Sequence, residues 1–163
     1  MNRGRVERIN VNAKGGVPKY AVPRAEITTE GVAGDKQRDL RYHGGPMRAV
    51  SLYSLERIEA LRSEGHPISP GSTGENLTVS GLEWERLGSG DRLKVGDEVV
   101  VEITKPAAPC KNIAESFADG EFTRISAKLR PGWSRLYARV VVEGTVHAGD
   151  TVEVLTKAGA EGA

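Results

Sequence analysis

The 163-residue chain has one cysteine, Cys110, and its neighbours bear on what that thiol can do. In KPAAPCK, residues 105–111, Pro106 and Pro109 stiffen the backbone ahead of the sulfur and Lys111 adds a charge beside it. A short helix expected to start at Asn112 would aim free N–H groups at the same atom. All three effects favour the thiolate, the form that attacks, carries sulfur or binds a metal. The competing reading is a small buried hydrophobe. A single cysteine excludes an internal disulfide, a four-thiolate zinc site and a cysteine-bound iron–sulfur cluster. Any redox chemistry must therefore borrow its cofactor or its electrons.

Three other segments hold polar groups in shaped backbone. Gly31 to Val50, GVAGDKQRDLRYHGGPMRAV, is too polar and glycine-rich for a core element. In it Gly44-Gly45 allows close backbone approach to a ligand, His43 can donate or accept near neutral pH, and Arg38, Arg41 and Arg48 can meet an anion. Taken singly, each of these reads as a solvated surface residue sooner than as a ligand contact; together they mark a candidate site. Lys14 to Lys19, KGGVPK, places a glycine pair between lysines, a weak signal for phosphate. Gly71 to Leu77, GSTGENL, puts Glu75 and Asn76 in a glycine-framed turn ahead of a strand. No G-x-S-x-G, H-E-x-x-H, Walker loop or G-x-G-x-x-G is present, and His66 and His147 lack ligand spacing.

The elements that must position these segments read mainly as β. Gly-Asp pairs at Gly90-Asp91, Gly96-Asp97 and Gly149-Asp150 mark turns around β-branched runs at 92–95, 98–104, 136–143 and 151–155, the spacing of hairpins. Val6, Ile9 and Val11 suggest a further strand. One helix is predicted over 54–64, with Ser54 as N-cap, Leu55, Ile58 and Leu61 on one stripe and Gly65 as a stop. A second is predicted over 121–129 from Phe122, Ile125 and Leu129, ended by Pro131. With 23 Lys plus Arg against 22 Asp plus Glu, the net charge of +1 provides no global field for a polyanion, so no nucleic-acid partner is expected. No apolar stretch reaches membrane-span length and MNRGRVERIN lacks a signal-peptide core, so the expected location is cytoplasmic with no membrane partner.

Read in order, G-x-x-G-D-x-Q at 31–37, HGG at 43–45, Ala49-Val50 and Tyr53, GENL at 74–77, P-x-x-P-C at 106–110, Tyr137-Ala138-Arg139-Val140 and Gly149-Asp150 resemble the MOSC domain family, named for the C-terminal domain of molybdenum cofactor sulfurase. The resemblance covers about residues 5–155 and implies a mainly β fold, a MOSC-type β-barrel with a few short flanking helices. It implies one domain over 1–155, while the small, polar residues 156–163, without an apolar period, read as a flexible C-terminal tail. It further implies binding of the molybdenum cofactor, molybdopterin, with no pyridoxal phosphate in this chain, since the sulfurases carry that group on a separate domain. The reductase members of the family, such as the 6-N-hydroxylaminopurine resistance protein, imply reduction of N-hydroxylated compounds with Cys110 as catalytic residue and molybdenum ligand. They also imply a small-molecule substrate and an external electron donor or molybdoenzyme partner. The alternative is a non-catalytic module that delivers cofactor, or sulfur as a Cys110 persulfide. Carried over residue by residue, His43, Gly44, Gly45, Glu75 and Asn76 should lie beside Cys110, and Lys19, Arg38 and Arg48 are candidates for the pterin phosphate on charge grounds.

Overall fold

The computed structural model describes residues 3–36 and 45–158. In chain order its strands are β1 (Arg3–Val11), β2 (Tyr20–Val22), β3 (Arg24–Thr28), β4 (Gly31–Val32), β5 (Val50–Ser54), β6 (Leu77–Ser80), β7 (Arg92–Val95), β8 (Val99–Ala107), β9 (Arg135–Val142), β10 (Gly144–His147) and β11 (Thr151–Thr156). Seven of them close on themselves in the order β1-β6-β5-β9-β8-β7-β11, with β11 pairing back onto β1. The result is the mainly β barrel that the turn spacing implied. β5 and β6 run parallel, and the α-helix α1 (Leu55–Ser63) joins them. β10, β3 and β4 form a small second sheet.

Local chemistry accounts for these elements. β7 alternates half-buried and buried residues and turns at Gly96-Asp97 to pair with β8, Val95 opposite Val99. β1 carries apolar residues at positions of opposite parity, Val6 and Ile9, yet both are fully buried. A register shift between Val6 and Arg8 against β6 resolves this, because one extra residue flips the strand's face. The barrel interior is filled by Leu52, Leu77, Leu93, Val101, Ile103 and Ala138, in one continuous core. α1 is capped as predicted, with Ser54 Oγ accepting the Arg57 N–H at 3.2 Å and Ile58 and Leu61 buried.

The predicted helix over 121–129 does not form. Only a 3-10 turn, Phe122–Ile125, is present; Ser126 after it is extended, Ile125 is buried and Leu129 is 63% exposed. Arg124 in this turn is instead committed to tertiary contacts: it donates to both oxygens of Glu64 at 2.9 and 2.7 Å and stacks on Trp133 at 4.1 Å. Arg57 packs on the same ring at 4.4 Å, the Trp133 carbonyl accepts the Tyr53 hydroxyl at 2.6 Å, and the Ser134 carbonyl accepts Trp84 Nε1 at 2.8 Å. These bonds fix the chain immediately before β9. At the other end of the chain Lys157 and Ala158 both bond to the buried Asp91, at 2.6 and 2.7 Å.

Two predictions follow from the geometry. Gly71 sits at φ 84°, and an added Cβ would lie 2.5 Å from the Lys19 carbonyl oxygen; Gly71→Ala should lower unfolding stability by about 2 kcal/mol or more, read as a drop in urea midpoint at unchanged m-value. The hydrogen bond from Arg124 holds Glu64 below the ordinary carboxylate value, with burial opposing it. A depressed folded value means that the contribution is whole above the unfolded value of about 4.3 and is lost as pH falls through the folded one. Glu64 is 42% exposed, so Glu64→Gln should cost under ~1 kcal/mol at pH 7, and stability curves of the two proteins should converge in acid.

Candidate functional site

A cleft of about 280 Å³ opens beside the barrel wall. Its wall comes from the register of β5 and β9: Ser51 pairs with Tyr137, so the two share a face, and Arg135, two residues before Tyr137, shares it too. Their neighbours Leu52 and Leu136 are also register partners and point the other way, into the core. Four loops complete the cleft: 16–19 ahead of β2, the segment after β4 with Lys36, 73–74 ahead of β6, and Cys110 with the 3-10 turn Lys111–Ser116 that follows it.

A buried polar network forms the floor. Asn76 Nδ2 donates to Asp35 Oδ2 at 2.9 Å and to the Asn10 carbonyl at 3.3 Å, while its Oδ1 accepts the Ser51 N–H at 3.1 Å. Asp35 Oδ2 also takes Lys19 Nζ at 2.6 Å, with the two side chains only 8% and 3% exposed, and Asp35 Oδ1 accepts the Asn12 N–H at 2.9 Å. Glu75 is fully buried and turned inward, accepting from the Gly71 N–H, Thr73 Oγ1 and Thr78 Oγ1, each at 2.9 Å. Every partner is a donor, as an enclosed carboxylate requires.

Cys110 is half-buried, is a free thiol and lines the cleft together with Lys19 and Gly74. The turn after it is 3-10 and starts at Lys111, with Cys110 as its N-cap and no hydrogen bond to the Cys110 side chain. Glu75 and Asn76 lie beneath the cleft in the network just described. Arg48 packs on the Tyr137 ring at 5.7 Å, and Gly45, exposed at φ 90°, precedes the 3-10 turn Pro46–Arg48. Arg38, His43 and Gly44 lie outside the described residues.

The sequence reading assigns neither Arg135 nor Tyr137 to the site, although Tyr137 stands in one of its motifs. Arg135 is 8% exposed; its Nη1 donates to the Thr73 carbonyl at 2.7 Å and its Nη2 to the Ala108 carbonyl at 3.4 Å, but its buried Nε has no partner. Among the described residues no carboxylate makes an ion pair with it. Tyr137 is also 8% exposed, and burial pushes its hydroxyl above the ordinary value although Arg135 and Arg48 pull the other way. It therefore remains a neutral O–H at physiological pH. The signal available was a cation opening a mostly apolar strand, RLYARVVV, with a tyrosine at i+2 and a second arginine, Arg139, at i+4. Lys36 and Glu115 are exposed members of the lining, so three cations face one carboxylate, with Asp35 behind Lys19. Among the described residues no three His, Cys, Asp or Glu side chains gather into a metal site. Nor is any helix there long and apolar enough to cross a membrane.

The family model for the MOSC domain matches residues 39–153. The chain belongs to the MOSC domain family. That family is associated with molybdenum cofactor binding. The chain is 32% identical over 162 residues to YflK of Bacillus subtilis, described as an uncharacterized protein, covering 96% of this chain and 72% of that one. It is 25% identical to YiiM of Escherichia coli over 94% of this chain and 70% of that one. A protein of Gibberella moniliformis named Reductase is 29% identical over 94% of this chain, which spans only 28% of it. Crystal structures of YiiM from Geobacillus stearothermophilus (TM-score 0.72, 22% identity, 96% and 77% covered) and of YuaD from Bacillus subtilis (TM-score 0.73, 20% identity, 93% and 95% covered) share the fold.

The enclosed Lys19–Asp35 pair beneath this MOSC cleft can be tested directly. Lys19→Met should destabilise the protein by about 3 kcal/mol or more, because it leaves the Asp35 carboxylate buried and uncompensated. Combining it with Asp35→Asn should recover part of the loss, so that a double-mutant cycle in urea gives a coupling of about 1 kcal/mol or more.

Proposed function

We propose that this MOSC protein binds the molybdenum cofactor in the cleft, with the Cys110 thiolate as molybdenum ligand, and reduces N-hydroxylated small molecules. The observation that carries the reading is the donor set: one free thiol, half-buried, in a pocket lined by Lys36, Arg135 and the Asp35-paired Lys19, with Glu115 as the carboxylate of the lining. A soft thiolate suits a thiophilic metal, and a protein-built metal centre is not needed when the metal arrives on a pterin. An anionic, phosphate-bearing pterin matches the sign of the lining. The residues present fit the group.

When bound, the cofactor supplies two-electron redox chemistry, and the net conversion would be R-NH-OH plus two electrons and two protons to R-NH₂ and water. Tyr137, whose hydroxyl burial keeps protonated, stands at the cleft wall as a neutral neighbour of Arg135. Ile113, which is buried, adds an apolar patch to the lining, and Lys36 and Glu115 stand at its exposed part. Electrons come from an external donor, since the sequence holds no cluster or flavin motif. The longer relative named Reductase supports a redox role.

The test is metal and pterin content per chain, for wild type and Cys110→Ser produced in a cofactor-making host. Wild type should carry near-stoichiometric molybdenum and pterin, and the variant should lose molybdenum by about tenfold or more. Loaded wild type should then turn over an N-hydroxylated base with an artificial reductant, and the variant should not. Metal and pterin absent from anaerobically purified wild type would overturn the reading.

A further inference from the structure

A guanidinium as enclosed as that of Arg135 normally faces a carboxylate, because an uncompensated charge away from water is costly. Arg135 faces two backbone carbonyls instead, Thr73 and Ala108, one on each loop that flanks the cleft. Glu75, the buried carboxylate of the first loop, is held by three donors of its own and makes no ion pair with it. Lys19, the other buried cation of the lining, is neutralised by Asp35 at 2.6 Å. Lys36 is exposed, so solvent screens its charge. One enclosed positive charge is therefore left over among the described residues, at the wall of the cavity and pinned from both sides.

We infer that Arg135 is the anion subsite of the cleft and takes a phosphate dianion of the ligand. Lys19 is not that group, because its ammonium already holds Asp35. The planar fork of an arginine suits phosphate oxygens, and its N–H groups not used by the two carbonyls remain to bind them. Two carbonyl contacts fix the fork before the ligand arrives, so little side-chain order is lost on binding. The inference rests on the cofactor reading only for the source of the phosphate. The preference for a phosphate anion is a property of the chain's own residues.

The probe is inorganic phosphate, added to the chain as purified, with chloride at equal ionic strength as reference and thermal unfolding as readout. Phosphate should raise the wild-type Tm by about 5 °C or more at about a hundred times its Kd. Arg135→Gln should show no phosphate-specific rise, and Arg135→Lys, which keeps the charge but loses the fork, a reduced one. No phosphate-specific rise in wild type, or an undiminished rise in Arg135→Gln, would overturn the inference; if that variant does not fold, an undiminished rise in Arg135→Lys would do so. Pterin content identifies the source: its loss in Arg135→Gln assigns the phosphate to the cofactor, and its retention beside a lost phosphate response assigns it to a substrate. Wild type that responds to phosphate yet carries no pterin would sink the cofactor reading and leave this subsite standing.

Discussion

Asp35 is the residue on which the cleft depends. Its two oxygens receive Lys19, Asn76 and the Asn12 backbone, and so tie the end of β1, the loop before β2 and the GENL turn to the segment after β4. Asn76 extends the tie to β5 through Ser51, whose hydroxyl accepts the Asn76 N–H at 3.1 Å. Each orphaned group in low dielectric costs more than its bond gained, and in this network the side-chain oxygen of Asn10 is the one buried atom without a partner among the described residues. The loops that bound the cleft are thus fixed from below, by a network of which only Lys19 and Ser51 reach the lining.

The barrel and this network divide the labour. The barrel supplies strands whose register places Ser51, Tyr137 and Arg135 on one face. The aromatic cluster of Trp133, Arg57 and Arg124 fixes the start of β9 at which Arg135 sits. Arg135 then bridges to Thr73 and Ala108, so the wall holds both the GENL loop and the loop leading to Cys110. Sites placed on rigid elements and supported by satisfied buried bonds keep their geometry without a ligand.

Much of the fold was legible because the sequence punctuates it. Gly96-Asp97 and Gly149-Asp150 bracket β7, β8 and β11 to within a few residues, and Ser54 marks α1 exactly where its hydroxyl caps it. The helix over 121–129 was misread because its apolar spacing is short and Arg124 is drawn to Glu64 and Trp133, contacts that depend on residues 60 and 9 positions away. In the site, motif order singled out Cys110 and the Gly74–Asn76 turn. That Glu75 and Asn76 turn inward depends on Asn10, Ser51 and Thr78, and no local pattern shows which way a turn carboxylate points. Arg135 was hidden for the same reason: an arginine at a strand start is ordinary until the fold encloses it.

The central claim is that the Cys110 sulfur binds molybdenum in this cleft. X-ray absorption at the molybdenum edge of the loaded protein reads it most directly, by comparing wild type with Cys110→Ser. The account predicts one sulfur scatterer in the wild type beyond the pterin dithiolene, absent from the variant. Identical sulfur coordination in the two proteins would contradict it.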